Sequence, residues 1–252
     1  HWMVHSFPTR RSSDLIKAAR LAAVGQTVAS LAHCIKNILQ GLKGGASLMD
    51  QGLEMDSKEM TDVAWKLVKT SQQRISELVL NMLDYSKERQ PAYQSADLRE
   101  HMENIRALMT ERAREKLVRI ELAYDEATPA VECDPMGIYR ATLNLCTNAI
   151  DAVEPETGVV TIHVRPEATG DHVLIGVADN GSGIPEEVRA KLFEAFHSTK
   201  DSKGTGLGLA VSKKIINEHR GEILLETEVG QGTTFTLRLP IKRPATAEQA
   251  KQ

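Results

Sequence analysis

Apolar positions in the first third of the chain recur in alternating steps of three and four residues. They fall at Leu21, Val24, Val28, Leu31, Ile35, Ile38, Leu42, Gly45 and Met49, and a second series takes Met60, Val63, Leu67, Ser71, Ile75, Leu78, Met82 and Tyr85. Residues at this spacing line one stripe of a helix, so the pattern predicts two long helices in succession. Gly52 is read as closing the first, and Asp56-x-x-Glu59 as a capping-box start for the second. Pro91 ends the second, because proline disfavours helical backbone at the residue before it. A single hairpin cannot cover so long a stripe. Two copies are therefore expected to pair as a four-helix bundle.

Beyond Asp97 the rhythm changes. Asp97-x-x-Glu100 caps a predicted helix to about Lys116, and Asp134 with Pro135 opens another as N-cap and first helical residue. VRIEL, AVEC, GVVTIHVR, HVLIGVA, EILLETE and TTFTLRLP alternate as strands do, and Leu209 to His219 returns to a helical pattern. The predicted fold class is α+β: a helical hairpin forming a dimeric four-helix bundle, followed by a two-layer α/β sandwich with helices on one face of a mixed sheet. The expected segments are 16–90 for the hairpin, 91–96 for a linker, 97–240 for the sandwich and 241–252 for a disordered polar tail.

Composition narrows the function classes. The chain has 252 residues, 41% hydrophobic and 26% charged, with a net charge of −3. That balance suggests neither a nucleic acid nor an anionic membrane as partner. Aromatic residues make up only 4%, too few for a stacking platform on single strands. No apolar run approaches the ~18 residues of a membrane span, so no membrane contact is expected of this stretch. Cys34, Cys133 and Cys146 are scattered without metal-ligand spacing, which suits a reducing cytoplasm. Residues 1–15, which include HSFPTRRSSDL, lack the marks of a helix start, a signal peptide or a tag. They read as a non-native, adapter-derived segment, with the natural gene beginning further upstream.

The chemistry concentrates between Asp179 and Gly208. Two glycine clusters, Asp179-x-Gly181-x-Gly183 and Gly204-x-Gly206-x-Gly208, flank a charged run. Glycines at alternate positions permit positive φ and close approach to a ligand, and their N–H groups can ring an anion. The second cluster leads into a predicted helix, whose N-terminus would add to the attraction for phosphate. On the helix from Pro135, Asn144, Asn148 and Asp151 recur at i, i+4 and i+7 and share one face. Oxygen ligands on such a face can hold a hard cation.

NLCTNAIDAV (144–153), DNGSGIP (179–185), LFEAFHSTK (192–200), GTGLGLAV (204–211) and GQGTTFTLRLP (230–240) together resemble the ATP-binding domain of sensor histidine kinases, within the wider GHKL ATPase group. LAHCIKNIL (31–39) resembles the phospho-acceptor box of the same family. The resemblance implies ATP and Mg²⁺ as cofactors, with Asn148 as the metal ligand supported by Asn144, and with Asp151 alongside. It gives Asp179 the adenine amino group, and Gly181 and Gly183 room for the base. Gly204, Thr205, Gly206, Leu207 and Gly208 would cradle the phosphates, Lys200 would reach them from a lid, and Phe193 and Phe196 would anchor that lid. His33 would be the nucleophile, and Asn37 would orient water for dephosphorylating the partner.

The implied protein is a cytoplasmic, homodimeric histidine kinase core that phosphorylates itself on His33 and passes the group to an aspartate in a response regulator receiver domain. One alternative is a GHKL ATPase of the gyrase, chaperone or mismatch-repair kind, but those place a glutamate base where this chain has Asn144. Another is an ATP-binding scaffold without transfer, supported by Cys34, which stands where the family usually carries an acidic residue.

Overall fold

The computed structural model describes residues 10–86, 91–196 and 205–243. The described chain divides into two compact units, parted after Leu80 and again at Glu194 and Gly206.

The first unit is a helical hairpin, α1 (Arg10–Glu54) and α2 (Lys58–Ser86), with the last turns of α2 falling to the second unit. Two expectations about its ends need correction. Residues 10–15, read as no part of a helix, lie within α1. Only nucleation of a helix is costly, so RRSSDL can extend one that the following apolar rhythm has started. Gly52 does not end α1 either. A Cβ there would meet the Thr61 backbone nitrogen at 3.0 Å, so the glycine lets α2 pass close by. The turn follows at Asp56, whose φ is 49°, and the cap of α2 is Ser57, whose Oγ accepts from the Met60 N–H at 3.4 Å.

Leu31, Cys34, Ile38, Gly41, Gly45, Leu48 and Gly52 form the side of α1 that is covered within the hairpin, facing Ala64, Val68, Ser71 and Leu78 of α2. At Gly41 an added Cβ would stand 2.6 Å from Ser71 Oγ, and at Gly45 it would stand 2.8 Å from Val68 Cγ2. Small residues thus set the approach of the helices. Much of the rest of the predicted stripe is uncovered: Val28, Ile35, Val63, Leu67, Met82 and Tyr85 are exposed, while Leu42, Met49, Met60 and Ile75 are half-buried.

The second unit carries a five-stranded sheet in the order β2-β4-β5-β7-β6, from β2 (Arg119–Tyr124), β4 (Val159–Pro166), β5 (His172–Asp179), β6 (Glu222–Glu228) and β7 (Gly232–Pro240). The β2–β4 pair is parallel and the others antiparallel, so the sheet is mixed as expected. Helices α3 (Leu98–Glu115), α4 (Pro135–Ala152) and α6 (Gly208–Glu218) supply the other layer, with a short α5 (Glu186–Arg189) between β5 and α6. Leu98, Met102, Ile105, Met109 and Ala113 give α3 a buried stripe at helical spacing. It meets Ile138, Leu145 and Ile150 of α4 and the alternating Val160, Ile162, Val164, Val173, Ile175 and Val177 of the sheet in one core.

Both predicted caps form: Asp97 accepts from the Arg99 N–H at 2.8 Å, and Asp134 from the Gly137 N–H at 3.2 Å. The segment expected as a linker, 91–96, contains a strand instead. β1 (Gln94–Ala96) pairs antiparallel with β3 (Val131–Cys133). Three residues are too few for a period of two to show in the sequence. The thiols of Cys133 and Cys146, pushed up to about 12 by burial, are inert packing groups.

Candidate functional site

In the hairpin, His33 lies on the exposed side of α1, and one turn later the Asn37 amide stands 3.5 Å from its Nδ1. The i, i+4 spacing brings them to one face. A neutral imidazole carries one ring lone pair, and on this exposed side the other tautomer, released from the long Asn37 contact, can offer it at Nε2 for nucleophilic chemistry. Cys34, one residue on, turns toward α2 and is half-buried. Burial pushes its thiol up, against the opposing pull of Arg74, and keeps it protonated at neutral pH.

In the second unit, α4 and the start of α6 face each other. Asn144 Nδ2 donates to the Gly208 carbonyl at 3.2 Å and to Ser212 Oγ at 3.4 Å. Ser212 Oγ in turn reaches the Ala141 and Gly208 carbonyls at 3.3 and 3.0 Å. Asn144 is therefore a brace that holds the glycine loop to α4. Gly206 has φ 65°, a turn that a side chain would strain, and no side chain caps α6 at Leu207. A helix N-terminus without a side-chain cap can attract an anion. Asn148, one turn beyond Asn144 and half-buried, gives its amide to no protein group among the described residues. Its oxygen is thus available to a hard cation, as the donor chemistry of Mg²⁺ requires.

At the end of β5 the Asp179 carboxylate accepts from the Gly181 N–H at 2.9 Å, closing a tight turn. The glycines beyond it answer to the protein's own packing. A Cβ on Gly181 would strike the Ala152 carbonyl at the end of α4, and one on Gly183, where φ is 70°, would strike the Glu228 carbonyl. The room these positions were expected to give a base is thus also room the backbone itself occupies. Thr227 Oγ1 accepts from the Ile184 N–H at 2.9 Å and lies 3.0 Å from Thr233 Oγ1, which fixes the loop to the sheet.

Asp151, expected alongside the two asparagines, is bonded by two basic side chains. Arg112 Nη2 donates to both of its carboxylate oxygens at 3.1 and 3.3 Å, and Lys116 bonds it as well. The carboxylate that shares a face with the two asparagines is therefore engaged by Arg112 of α3 and by Lys116 just past its end. Phe193 packs edge-on against Phe235, with ring centroids 6.5 Å apart, and so anchors its segment to the core. Phe196 has φ 64°. Lys200 and Gly204 lie outside the described residues, and Thr205 falls in the first unit while Gly206, Leu207 and Gly208 fall in the second.

Sequence reasoning missed Thr233, Arg112 and Lys116. Thr233 is buried on β7 opposite Asp179, a pairing that only the strand register reveals. Arg112 and Lys116 stand one turn apart at the C-terminal end of α3, where basic residues are ordinary and signal nothing by themselves.

Comparison with known proteins adds family to geometry. Residues 23–91 match the His Kinase A (phospho-acceptor) domain, and residues 133–243 match the histidine kinase-, DNA gyrase B-, and HSP90-like ATPase. The solved catalytic domain of histidine kinase ThkA is 32% identical, with a TM-score of 0.54 over 60% of this chain and 97% of that one. This chain belongs to the histidine kinases. Sporulation kinases E and B of Bacillus subtilis (strain 168) are each 32% identical over 92% of this histidine kinase chain, which spans only 30% and 53% of their lengths. ThkA solved in complex with the response regulator protein TrrA is 28% identical, with a TM-score of 0.71 over 89% of this chain and 64% of that one. The fold of this histidine kinase, a hairpin followed by a mixed sheet with helices, is that of these relatives.

Proposed function

We propose that this chain is the ATP-dependent autokinase core of a two-component system, phosphorylating itself on His33 and passing the group to an aspartate of a response regulator receiver domain. The observation that carries the reading is the presence, in one chain, of an exposed His33 with Asn37 beside it and of an α4 face braced to an uncapped, glycine-led α6. In the transfer, an imidazole nitrogen bonds to the γ-phosphorus as the bond to the ADP oxygen breaks, and the ring proton leaves to solvent. The protein's part is positioning and charge neutralisation. Asn148 would hold Mg²⁺, which neutralises phosphate charge when bound. A single protein ligand completed by phosphates and water is that ion's habit. Asn144 keeps the glycine loop in place, and Asp179 and its loop would receive the base.

The uncovered apolar stripe on α1 and α2 supports pairing of two copies through the hairpin. ThkA's complex with TrrA supports a receiver domain as partner. Among the described residues no helix is long and apolar enough to cross a membrane. ATP as phosphoryl donor sets the reaction in the cytoplasm. The plain ATPase alternative needs a carboxylate base in place of Asn144, whose amide is engaged with Gly208 and Ser212.

Incubation with [γ-³²P]ATP and Mg²⁺ tests the reading. It is expected to leave acid-labile, alkali-stable label on the protein, which a purified receiver domain then removes. Release of free phosphate without protein-bound label would instead indicate an ATPase.

Cys34 sets the speed. The family's usual acidic residue at this position can take the imidazole proton and hold the ring in its attacking tautomer, which a protonated thiol cannot. Loss of a positioned base costs roughly 10²- to 10⁴-fold. Cys34→Glu is expected to raise the initial rate of labelling by about tenfold or more, a floor set below that range because Arg74 competes for the new carboxylate. An unchanged or lower rate would place the base elsewhere.

A further inference from the structure

We propose that Arg112 and Lys116 are polyphosphate-binding residues of the nucleotide site, held ready beside α4 by Asp151. The inference rests on the nucleotide reading of that site and adds residues at the C-terminal end of α3 and just past it that none of the sequence motifs contains.

The argument begins with direction. Asn144, Asn148 and Asp151 share one face of α4, and Asn144 shows where that face looks, since its amide bonds the Gly208 carbonyl at the glycine-led start of α6. Asp151 continues the face by one turn past Asn148. Immediately after it, the Ala152 carbonyl accepts from the Ser182 N–H at 3.4 Å, so the Asp179–Gly183 loop lies against this end of the helix. The stretch from Asn148 to Asp151 thus runs between the phosphate-facing glycines and the loop expected to take the base. The two cations meet Asp151 on this stretch.

Charge comes next. Asn144, Asn148, Asp151 and Asp179 bring amides and carboxylates, which alone would repel or merely tolerate a polyphosphate. Arg112 and Lys116 contribute two positive charges against the one negative charge of Asp151, leaving a net charge of +1 at the cluster. Arg112 is also not satisfied by its partner: one nitrogen, Nη2, serves both Asp151 oxygens, and its Nε is shielded from solvent with no acceptor. A guanidinium is made for two-pronged contact with phosphate and gains by turning such a donor toward further oxygens. Lys116 is 42% exposed and free to follow on its flexible stem.

Calorimetric titration of the full chain separates this role from a structural one. The ligands are Mg²⁺ with AMP-PNP, which cannot transfer its phosphate, and adenosine, which has none. Arg112→Gln and Lys116→Gln are each expected to weaken AMP-PNP by about tenfold, as expected for a charged hydrogen bond, and to leave adenosine unchanged. Lys116 is the more exposed of the two and its loss leaves Arg112 on Asp151, so Lys116→Gln is expected to fold and decides the matter even if Arg112→Gln does not. AMP-PNP affinity equal to wild type in Lys116→Gln would overturn the proposal, as would adenosine weakening in parallel, which marks a scaffold role. If the wild-type chain bound neither ligand, the nucleotide reading itself would fall and this assignment with it.

Discussion

His33→Gln is expected to abolish protein-bound label, by on the order of 10⁴-fold or more, while Mg²⁺·ATP affinity stays at the wild-type value. Removal of an attacking atom costs more than removal of any group that merely assists it. Glutamine keeps the length and polarity of the side chain but has no nitrogen lone pair to offer phosphorus. His33 is exposed on α1, so the exchange does not disturb a core. It belongs to the first compact unit, and Asn144, Asn148 and Asp179 to the second, so nucleotide binding should not register the change. Persisting acid-labile label would mean that another residue is the nucleophile, and lost ATP affinity would mean that the histidine serves the pocket. Mixed dimers of His33→Gln with Asn148→Ala extend the test. Each chain lacks what the other has, so label reappears only if transfer crosses between subunits.

Legibility from sequence followed the length scale of each feature. Helices α3, α4 and α6 and the five strands of the main sheet were readable because six or more residues of apolar rhythm, or a cap at a fixed offset, specify them locally. Gly52 was misread as a helix end because a glycine near a turn is usually a cap. Here it is a contact with Thr61, a residue far enough along the chain that local pattern carries no trace of it. The heptad stripe was correct as a stripe but did not reveal which side the hairpin covers itself. Leu31, Ile38 and Gly45 belong to both faces, whereas Cys34 and Gly41 turn inward where Ile35 and Leu42 were expected. In the candidate site, the spacing Asn144, Asn148, Asp151 gave the face but not the partners. The link of Asn144 to Gly208 spans 64 residues, and that of Arg112 to Asp151 spans 39. Such pairings depend on how helices pack, which no local spacing encodes. The glycines of the Asp179 loop show the same limit: their number suggested a ligand, while much of their necessity comes from Ala152 and Glu228.

Asn148→Ala is expected to remove the Mg²⁺ dependence of nucleotide binding and with it all phosphorylation, while the hairpin still pairs. The residue is half-buried on α4 between the brace at Asn144 and the Arg112–Lys116–Asp151 cluster, and its amide bonds no described protein group. Truncation therefore breaks no internal hydrogen bond and leaves α4 with a better helix former, so little stability is lost. What is lost is the protein's direct oxygen ligand to the cation. Changes one shell further out already cost 10- to 100-fold in metal affinity, so loss of the ligand itself should cost about 100-fold or more. Titration of ATP with and without Mg²⁺ reads this directly: in wild type the metal tightens binding, and in Asn148→Ala the two curves should coincide. The contrasting variant is Asn144→Ala, which breaks the bond to the Gly208 carbonyl and should weaken nucleotide whether or not Mg²⁺ is present, because it loosens the loop rather than the metal. If Mg²⁺ still tightened binding in Asn148→Ala by the wild-type factor, the cation would have to be held by other oxygens, and Asp151 would be the next candidate.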